Sequence, residues 1–232
     1  MQVHSKRFEA AGKKVEHGRK YTVAEAAALI KEAATAKFDE SVEIAMKLGI
    51  DVKRTEQMVR GSVALPKGTG KQVRVVAFAV GEMAEKAKAA GAIEAGADEL
   101  IKKITDGWTE FDVAVAHPEL MSKVGRLGRV LGPKGLMPSP KAGTVTENVE
   151  RIVKEYLGGR VEYRTDATGC IQALVGKASF KAEDIAENVS AFIEHIAAAR
   201  PGGVKGIFIR KAVLSSTMGP GVEINVAGLQ GA

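Results

Sequence analysis

The hydrophobic pattern of this 232-residue chain changes its period twice, and these changes constrain the fold more than any other feature. Residues 41–48 alternate between apolar and polar side chains, which predicts a strand with one buried and one solvated face. Residues 73–80 form an apolar run broken only by Arg74, which predicts a strand covered on both faces. Alternating strands return at about 160–165 and 170–176. The flanks therefore predict an α+β domain and the middle a parallel α/β unit.

Both changes of pattern coincide with segments rich in glycine or proline, at residues 66–70 and 158–159. Such segments commonly connect domains. We therefore predict an α/β domain at 67–159, inserted into a first domain formed by 1–66 and 160–232. One continuous α/β domain is the alternative interpretation.

Two matches to the capping-box pattern predict where helices begin. Thr22 and Glu25 precede an apolar stripe, which predicts a helix from Thr22 to about residue 36. Thr144 and Glu147 match the same pattern ahead of a predicted helix at about 146–157. Before them, residues 5–20 carry six basic and two acidic side chains and predict a loose, basic helical arm.

The charge of the chain favours a polyanionic partner without requiring one. The formal net charge is +6 and the isoelectric point about 9.3. Each cation that neutralises a phosphate releases a counterion, which favours nucleic acid, although ordinary solubility also explains this charge. The single cysteine, Cys170, excludes an intramolecular disulfide and fits a reducing cytosol. With no signal-like or membrane-spanning apolar segment, we expect a cytoplasmic protein with no membrane association.

Motifs for catalysis and for nucleotide binding are incomplete. The segment from Gly68 to Lys71 resembles part of a phosphate-binding loop, but Gln72 stands where a hydroxyl is needed. Glycines at 125–132 follow no strand directly and lack the dinucleotide spacing. The histidines show no metal-ligand spacing, and no nucleophile elbow is present. We therefore predict that the chain is not an enzyme and that it binds no metal and no cofactor. A nucleotide-binding or basic protein-interaction module remains the alternative.

Two segments combine basic residues with a complete lack of acidic ones. In residues 120–146, glycines expose backbone amides that suit phosphate contact, although a solvated loop is an equal alternative. The predicted secondary contacts there are Lys123, Arg126, Arg129, Lys134 and Lys141. Residues 195–222 include Lys211 and a loop from Ser215 with small hydroxyls and glycines, which RNA 2′-hydroxyls could approach. An ordinary strand connection is the alternative there.

Four segments, in this order, resemble the L-one family of large-subunit ribosomal proteins in its bacterial form. They are KFDESVEIAMKLGID (37–51), VRGSVALPKGTGK (59–71), GRLGRVLGPKGLMPSPKAGTVT (125–146) and SSTMGPGVEINV (215–226). The resemblance extends from about residue 3 to 228. It implies a first, RNA-binding domain built from both chain ends and an inserted, Rossmann-like, three-layer α/β domain.

The resemblance also implies the RNA-binding residues. Asp166 and Ala167 make one of the implied segments less basic than the family pattern. With the two positions from residues 195–222, the predicted RNA-binding set is Lys37, Phe38, Glu40, Ser41, Arg164, Thr165, Thr168, Lys211, Ser215, Thr217, Met218 and Gly219. The predicted hinge residues are Pro66, Gly68, Gly158 and Gly159.

The function implied by the resemblance is that of a structural constituent of the large ribosomal subunit. The chain is expected to bind the stalk region of large-subunit rRNA beside the tRNA exit site and to assist release of deacylated tRNA. It is also expected to repress translation by binding the mRNA of its own operon. Its expected partners are therefore rRNA, exit-site tRNA and that mRNA, with a monomeric state off the ribosome.

Overall fold

The computed structural model describes residues 5–16 and 18–227. The helices are α1 (Lys6–Gly12), α2 (Val23–Ala33), α3 (Glu82–Ala89), α4 (Asp98–Thr105), α5 (Met121–Val124), α6 (Gly128–Leu131), α7 (Val149–Leu157) and α8 (Ala182–Ala198). The strands are β1 (Ser41–Leu48), β2 (Arg60–Ala64), β3 (Val75–Phe78), β4 (Glu94–Gly96), β5 (Val113–Ala116), β6 (Arg160–Arg164), β7 (Cys170–Lys177), β8 (Ile209–Ser216) and β9 (Val222–Ile224). The chain is thus a mixed α/β protein, as predicted.

The chain divides into two compact units, of which unit 1 comprises Met1–Gly70 and Val161–Ala232. Its main sheet is antiparallel with strand order β7-β1-β8-β9, and β2 pairs with β6 in a second, two-stranded sheet. Val42, Ile44 and Met46 of β1 are fully buried in a core shared with α2 and α8. The alternation of β1 therefore places its remaining side chains on the opposite side, which we call the outer face.

The strand register determines which side chains are neighbours on the outer face. Ser41 lies opposite Lys177, and six residues further along β1 Lys47 lies between Cys170 and Lys211. Between these ends, Glu43 and Ala45 lie beside Ser215 and Val213 of β8. At roughly 3.3 Å per residue, the outer face of β1 offers a strip about 20 Å long.

Unit 2, Lys71–Arg160, is a three-layer α/β structure. Its parallel sheet has the order β4-β3-β5, and all four residues of β3 are buried because helices cover both faces of the sheet. The core on one face includes α3 and α7, and the core on the other includes α4, α5 and α6. The connection from β3 through α3 to β4 packs on one face, and the connection from β4 through α4 to β5 packs on the other.

Several predicted elements have different bounds in the structure. Helix α7 is capped by Asn148, which accepts from the backbone N–H of Arg151 at 3.2 Å, and not by Thr144. Thr144 is buried and exchanges hydrogen bonds with the backbone of Ser139 instead. The segment predicted as a basic loop at 120–146 contains α5, α6 and two short 3-10 turns, because its apolar residues pack into the core. The predicted arm is helical only in α1 among the described residues.

At the first crossing between the units, the side chain of one residue forms hydrogen bonds with the backbone of Lys67 and of Gly68. Asn188 of α8, fully buried, accepts from Lys67 N–H at 3.0 Å and donates to the Gly68 carbonyl at 2.9 Å. In unit 2, Asp112 accepts from Lys71 Nζ at 2.8 Å and from the backbone of Arg74 at 3.1 Å. Burial would raise the pKa of Asp112, but these donors lower the pKa to about 2.

The predicted hinge residues lie near the two crossings between the units. Pro66 and Gly68 belong to unit 1, and the Gly68 carbonyl is bonded to Asn188 of α8. At the second crossing, Gly158 has ordinary helical backbone (φ −73°), whereas Gly159 has φ 102°.

Candidate nucleic-acid interface

Two segments from opposite ends of the chain meet at the start of β1. The Glu40 side chain is 2% exposed, and its carboxylate oxygens accept from the backbone N–H groups of Ala36 and Met218, both at 3.0 Å. Burial alone would raise the pKa of Glu40, but these hydrogen bonds outweigh it and lower the pKa below its usual value of 4.5. Glu40 is therefore ionised and links the segment before β1 to the segment after β8. We call this link the Glu40 tie.

Thr217 and Ser41 strengthen this connection. The Thr217 hydroxyl accepts from Ser41 N–H at 2.9 Å, and Thr217 N–H donates to the Ser41 carbonyl at 3.0 Å. Lys177 donates to the Ser41 hydroxyl at 2.8 Å from the neighbouring strand. Residues 36–41 and 215–219 consequently form one surface, which we call the joined patch.

The joined patch presents two large apolar side chains to solvent. Phe38 is 55% exposed and Met218 is 48% exposed, and Lys37 is exposed beside Phe38. A Cβ atom at Gly219 would lie 2.4 Å from the Ser216 hydroxyl, so a side chain at this position would require Ser216 to move. Exposed apolar groups on a rigid polar frame are typical of a binding surface rather than of a solvated loop.

The remaining predicted residues lie at the other end of the outer face or inside the unit. Lys211 is opposite Lys47 and pairs with Glu223 at 2.7 Å, which reduces its availability to phosphate. Arg164 is exposed at the end of β6. The joined patch and Lys211 are therefore separated by most of the length of β1.

The side chain of Thr165 is buried inside unit 1. Its side chain is 1% exposed, and its hydroxyl accepts from Val59 N–H at 3.0 Å and donates to the Val59 carbonyl at 2.7 Å. These two hydrogen bonds hold the chain just after β6 against Val59, so Thr165 fixes the positions of the residues beside it.

The loop between β6 and β7 is closed by Asp166. Its carboxylate accepts from Cys170 N–H and from both the N–H and hydroxyl of Thr168, at 2.7 to 2.8 Å. These contacts, that from Cys170 first, lower the pKa of Asp166. Lys47 donates to the carbonyl of Thr168. Asp166 thus shapes the loop, and Thr168 is exposed with its hydroxyl already engaged.

Sequence reasoning omitted two lysines that the outer face contains. Lys47 and Lys177 occupy opposite ends of the strip, next to Thr168 and Ser41 respectively. The alternation of residues 41–48 already placed Lys47 on the same side as Ser41. The position of Lys177 depends on the register with β7, which the sequence does not reveal.

Unit 2 carries a separate group of cations. Lys123 pairs with Asp98 at 2.8 Å, and Lys134 donates to the hydroxyl of Thr109, which leaves its charge uncompensated by that contact. Arg126, Arg129 and Lys141 are exposed. Apart from Lys123, the cations of this group therefore have charges that are available to a phosphate.

The described residues contain neither a cluster able to hold a metal nor a helix able to span a membrane. Residues 5–16 and 18–227 contain no group of three histidine, cysteine or acidic side chains able to hold a metal. None of the helices in those residues combines the length and apolar character needed to cross a membrane.

Comparisons with a family model and with individual known proteins identify the same family. The ribosomal protein L1p/L10e family matches residues 30–220. Large ribosomal subunit protein uL1 of Thermus thermophilus is 54% identical over 226 residues, which cover 97% of this chain and 99% of that protein. The protein of the same name from Clavibacter michiganensis is 51% identical, over 96% of this chain and 97% of that protein. The one from Corynebacterium glutamicum is 48% identical, over 97% of this chain and 95% of that protein. The chain belongs to the ribosomal protein L1p/L10e family, and it is a structural constituent of the large ribosomal subunit rather than an enzyme.

Proposed function

We propose that this chain binds the stalk region of large-subunit rRNA, beside the tRNA exit site, through the joined patch and the adjoining outer face. The observation that carries the proposal is the Glu40 tie, which holds residues 36–41 against Met218 through two hydrogen bonds within the protein. A preformed surface avoids the cost of ordering loops on binding and supports high affinity. Family membership, which implies rRNA contact on the cytoplasmic ribosome, supports the same partner.

The residues of the joined patch suit folded RNA better than a regular duplex. Phe38 offers a face on which a ribose or base can pack, and Lys37 offers a charge to the adjacent phosphate. Small groups at Ser215 and Gly219 allow close approach of the sugar hydroxyls. RNA loops with unstacked bases present these features.

Two finer roles follow from the same surfaces. An mRNA segment that imitates the rRNA site would compete for the joined patch, and we propose that this competition represses translation of the chain's own operon. The cations of unit 2 at Arg126, Arg129, Lys134 and Lys141 would supply weaker phosphate contacts, and we propose that they assist release of deacylated tRNA.

Footprinting of the purified protein on total ribosomal RNA tests the main proposal. We expect protection of one compact region of large-subunit rRNA, and competition at that region by a transcript of the protein's operon leader. Protection confined to small-subunit rRNA, with the protein natively folded, would contradict the proposal.

Lys134 gives a quantitative test of the secondary contact. If its charge neutralises one phosphate, Lys134→Gln should reduce the slope of log affinity against log salt concentration by about one unit. Lys88→Gln, an exposed lysine on α3, is the matched control and should leave the slope unchanged. Equal slopes for wild type and Lys134→Gln would remove Lys134 from the interface.

We also propose that the units reorient at the Gly70–Lys71 junction and at Gly159 when RNA binds. Small-angle neutron scattering of the protein with and without its rRNA fragment, with the RNA contrast-matched, measures this directly. Identical protein scattering in the two states would refute it.

Substitution of Gly159 should destabilise the protein more than substitution of the neighbouring Gly158. Gly159→Ala should lower the free energy of unfolding by about 1–2 kcal/mol, because φ 102° is unfavourable for a residue with Cβ. Gly158→Ala, at φ −73°, should have a smaller effect. Urea unfolding of both variants checks the order, and a larger loss for Gly158→Ala would be inconsistent with this backbone geometry.

A further inference from the structure

A crevice of about 540 Å³ lies at the carboxyl ends of β3 and β5 in unit 2. The order β4-β3-β5 makes this the point where two adjacent strands continue in opposite directions, β3 to α3 on one face of the sheet and β5 to α5 on the other. In open parallel sheets such a point forms a crevice between two diverging loops. The surface of unit 1 that we assign to rRNA does not include it.

The crevice exposes apolar surface that no other described part of unit 2 covers. Val80, in the loop after β3, is 62% exposed, and Met83, in the first turn of α3, is 42% exposed. Leu120 lines the same crevice from the loop after β5 and is itself largely buried. Val80 and Leu120 follow two adjacent strands of the parallel sheet, and Met83 lies in α3, so this apolar surface is built on the α/β framework of unit 2.

Carboxylates surround this apolar surface. Glu82, Glu119 and Glu147 line the crevice, against a single lysine, Lys86. Lys86 is already paired with Glu82 at 3.6 Å, and Glu119 approaches His117 at the same distance. The crevice therefore combines exposed apolar side chains with three carboxylates, in a chain whose overall charge is positive.

This charge distribution excludes a phosphate ligand. Nucleotide-binding crevices of this fold place the phosphate at the helix that follows the first strand. Here that helix, α3, begins with Glu82 and also carries Glu85 in its first turn, so carboxylates already compensate its positive end. RNA phosphates would meet the same repulsion.

We propose that the crevice binds a basic segment of another protein, in which lysine or arginine side chains flank an apolar residue. The apolar residue would pack on Val80 and Met83, and its cationic neighbours would lie beside Glu119 and Glu147. Such a segment complements both features of the crevice, whereas nucleic acid complements neither. The inference does not depend on where rRNA binds unit 1.

The test uses the full-length protein and a defined probe, the capped peptide Arg-Lys-Leu-Lys-Arg. We expect the methyl NMR signals of Val80 and Met83 to shift on titration, with an affinity that falls as salt is added. A peptide in which glutamine replaces each cation should bind at least about five-fold more weakly, since several exposed ion pairs are lost.

Paired variants separate this site from general charge attraction. Glu119→Gln with Glu147→Gln should weaken binding about five-fold or more, and Glu99→Gln with Glu110→Gln, which removes two exposed acids elsewhere in unit 2, should not. Equal loss in the two pairs, no shift at Met83, or equal binding of the glutamine peptide would overturn the proposal. So would a short RNA that shifts the same signals. rRNA affinity should be unchanged by the crevice variants, which distinguishes this failure from that of the proposed rRNA site.

Discussion

Met218→Asp should weaken binding to large-subunit rRNA by more than about 2 kcal/mol, or roughly 30-fold in Kd. Met218 is exposed at the centre of the joined patch, and its backbone is held by Glu40. A carboxylate at this position would lie against RNA phosphates and would lose the apolar contact as well. Filter binding with the protected rRNA fragment measures the change.

Ile207→Asp is the matched control for this prediction. Ile207 is also an exposed apolar residue of unit 1, at 67%, but it lies outside residues 36–41 and 215–219. The control should bind RNA nearly as well as wild type, and both variants should keep the wild-type circular dichroism. Normal affinity of a folded Met218→Asp protein would refute the joined patch as the main contact.

Glu40→Gln should lower the free energy of unfolding by about 2 kcal/mol, the range for hydrogen bonds to a buried charged group. The amide retains one acceptor oxygen, but its NH₂ group must face one of the two backbone donors, at Ala36 or Met218. RNA affinity should fall too, because the two halves of the joined patch lose their tie. Glu43→Gln, an exposed acid on the same strand, should change stability by less than about 0.5 kcal/mol.

The effect of Glu40 should depend on pH in a defined direction. Its pKa is lowered in the folded protein, so its contribution is fully present above the usual pKa of 4.5 and is lost as the pH falls through the folded value. The difference in unfolding free energy between wild type and Glu40→Gln should therefore narrow between pH 5 and lower pH. Urea titrations at several pH values check this, and a constant difference would mean that Glu40 is not the ionised tie described here.

Elements with a sustained local pattern were predictable from the sequence. The eight alternating residues of β1 gave bounds that agree with Ser41–Leu48. The capping box at Thr22 and Glu25 is present, with both hydrogen bonds formed. These features depend on interactions between residues close in sequence, so the sequence pattern contains them.

Features that depend on distant partners were not predictable in the same way. Strand β4 is three half-buried residues, too short for a period, and it exists because it pairs with β3. The match at Thr144 and Glu147 satisfied a local pattern, but burial of Thr144 against Ser139 prevented it from capping a helix. The family resemblance suggested Glu40 as an RNA contact, whereas its burial and its bond to Met218, 178 residues away, make it a structural support.

The separation between the two halves of the joined patch has a consequence for synthesis. Ser41 and Thr217 are 176 residues apart, so a growing polypeptide holds only one half until almost all of it has been translated. Nascent and prematurely terminated products would therefore be unable to recognise the RNA. If the protein limits its own production, the quantity it senses is the number of finished copies, and translation in progress does not contribute.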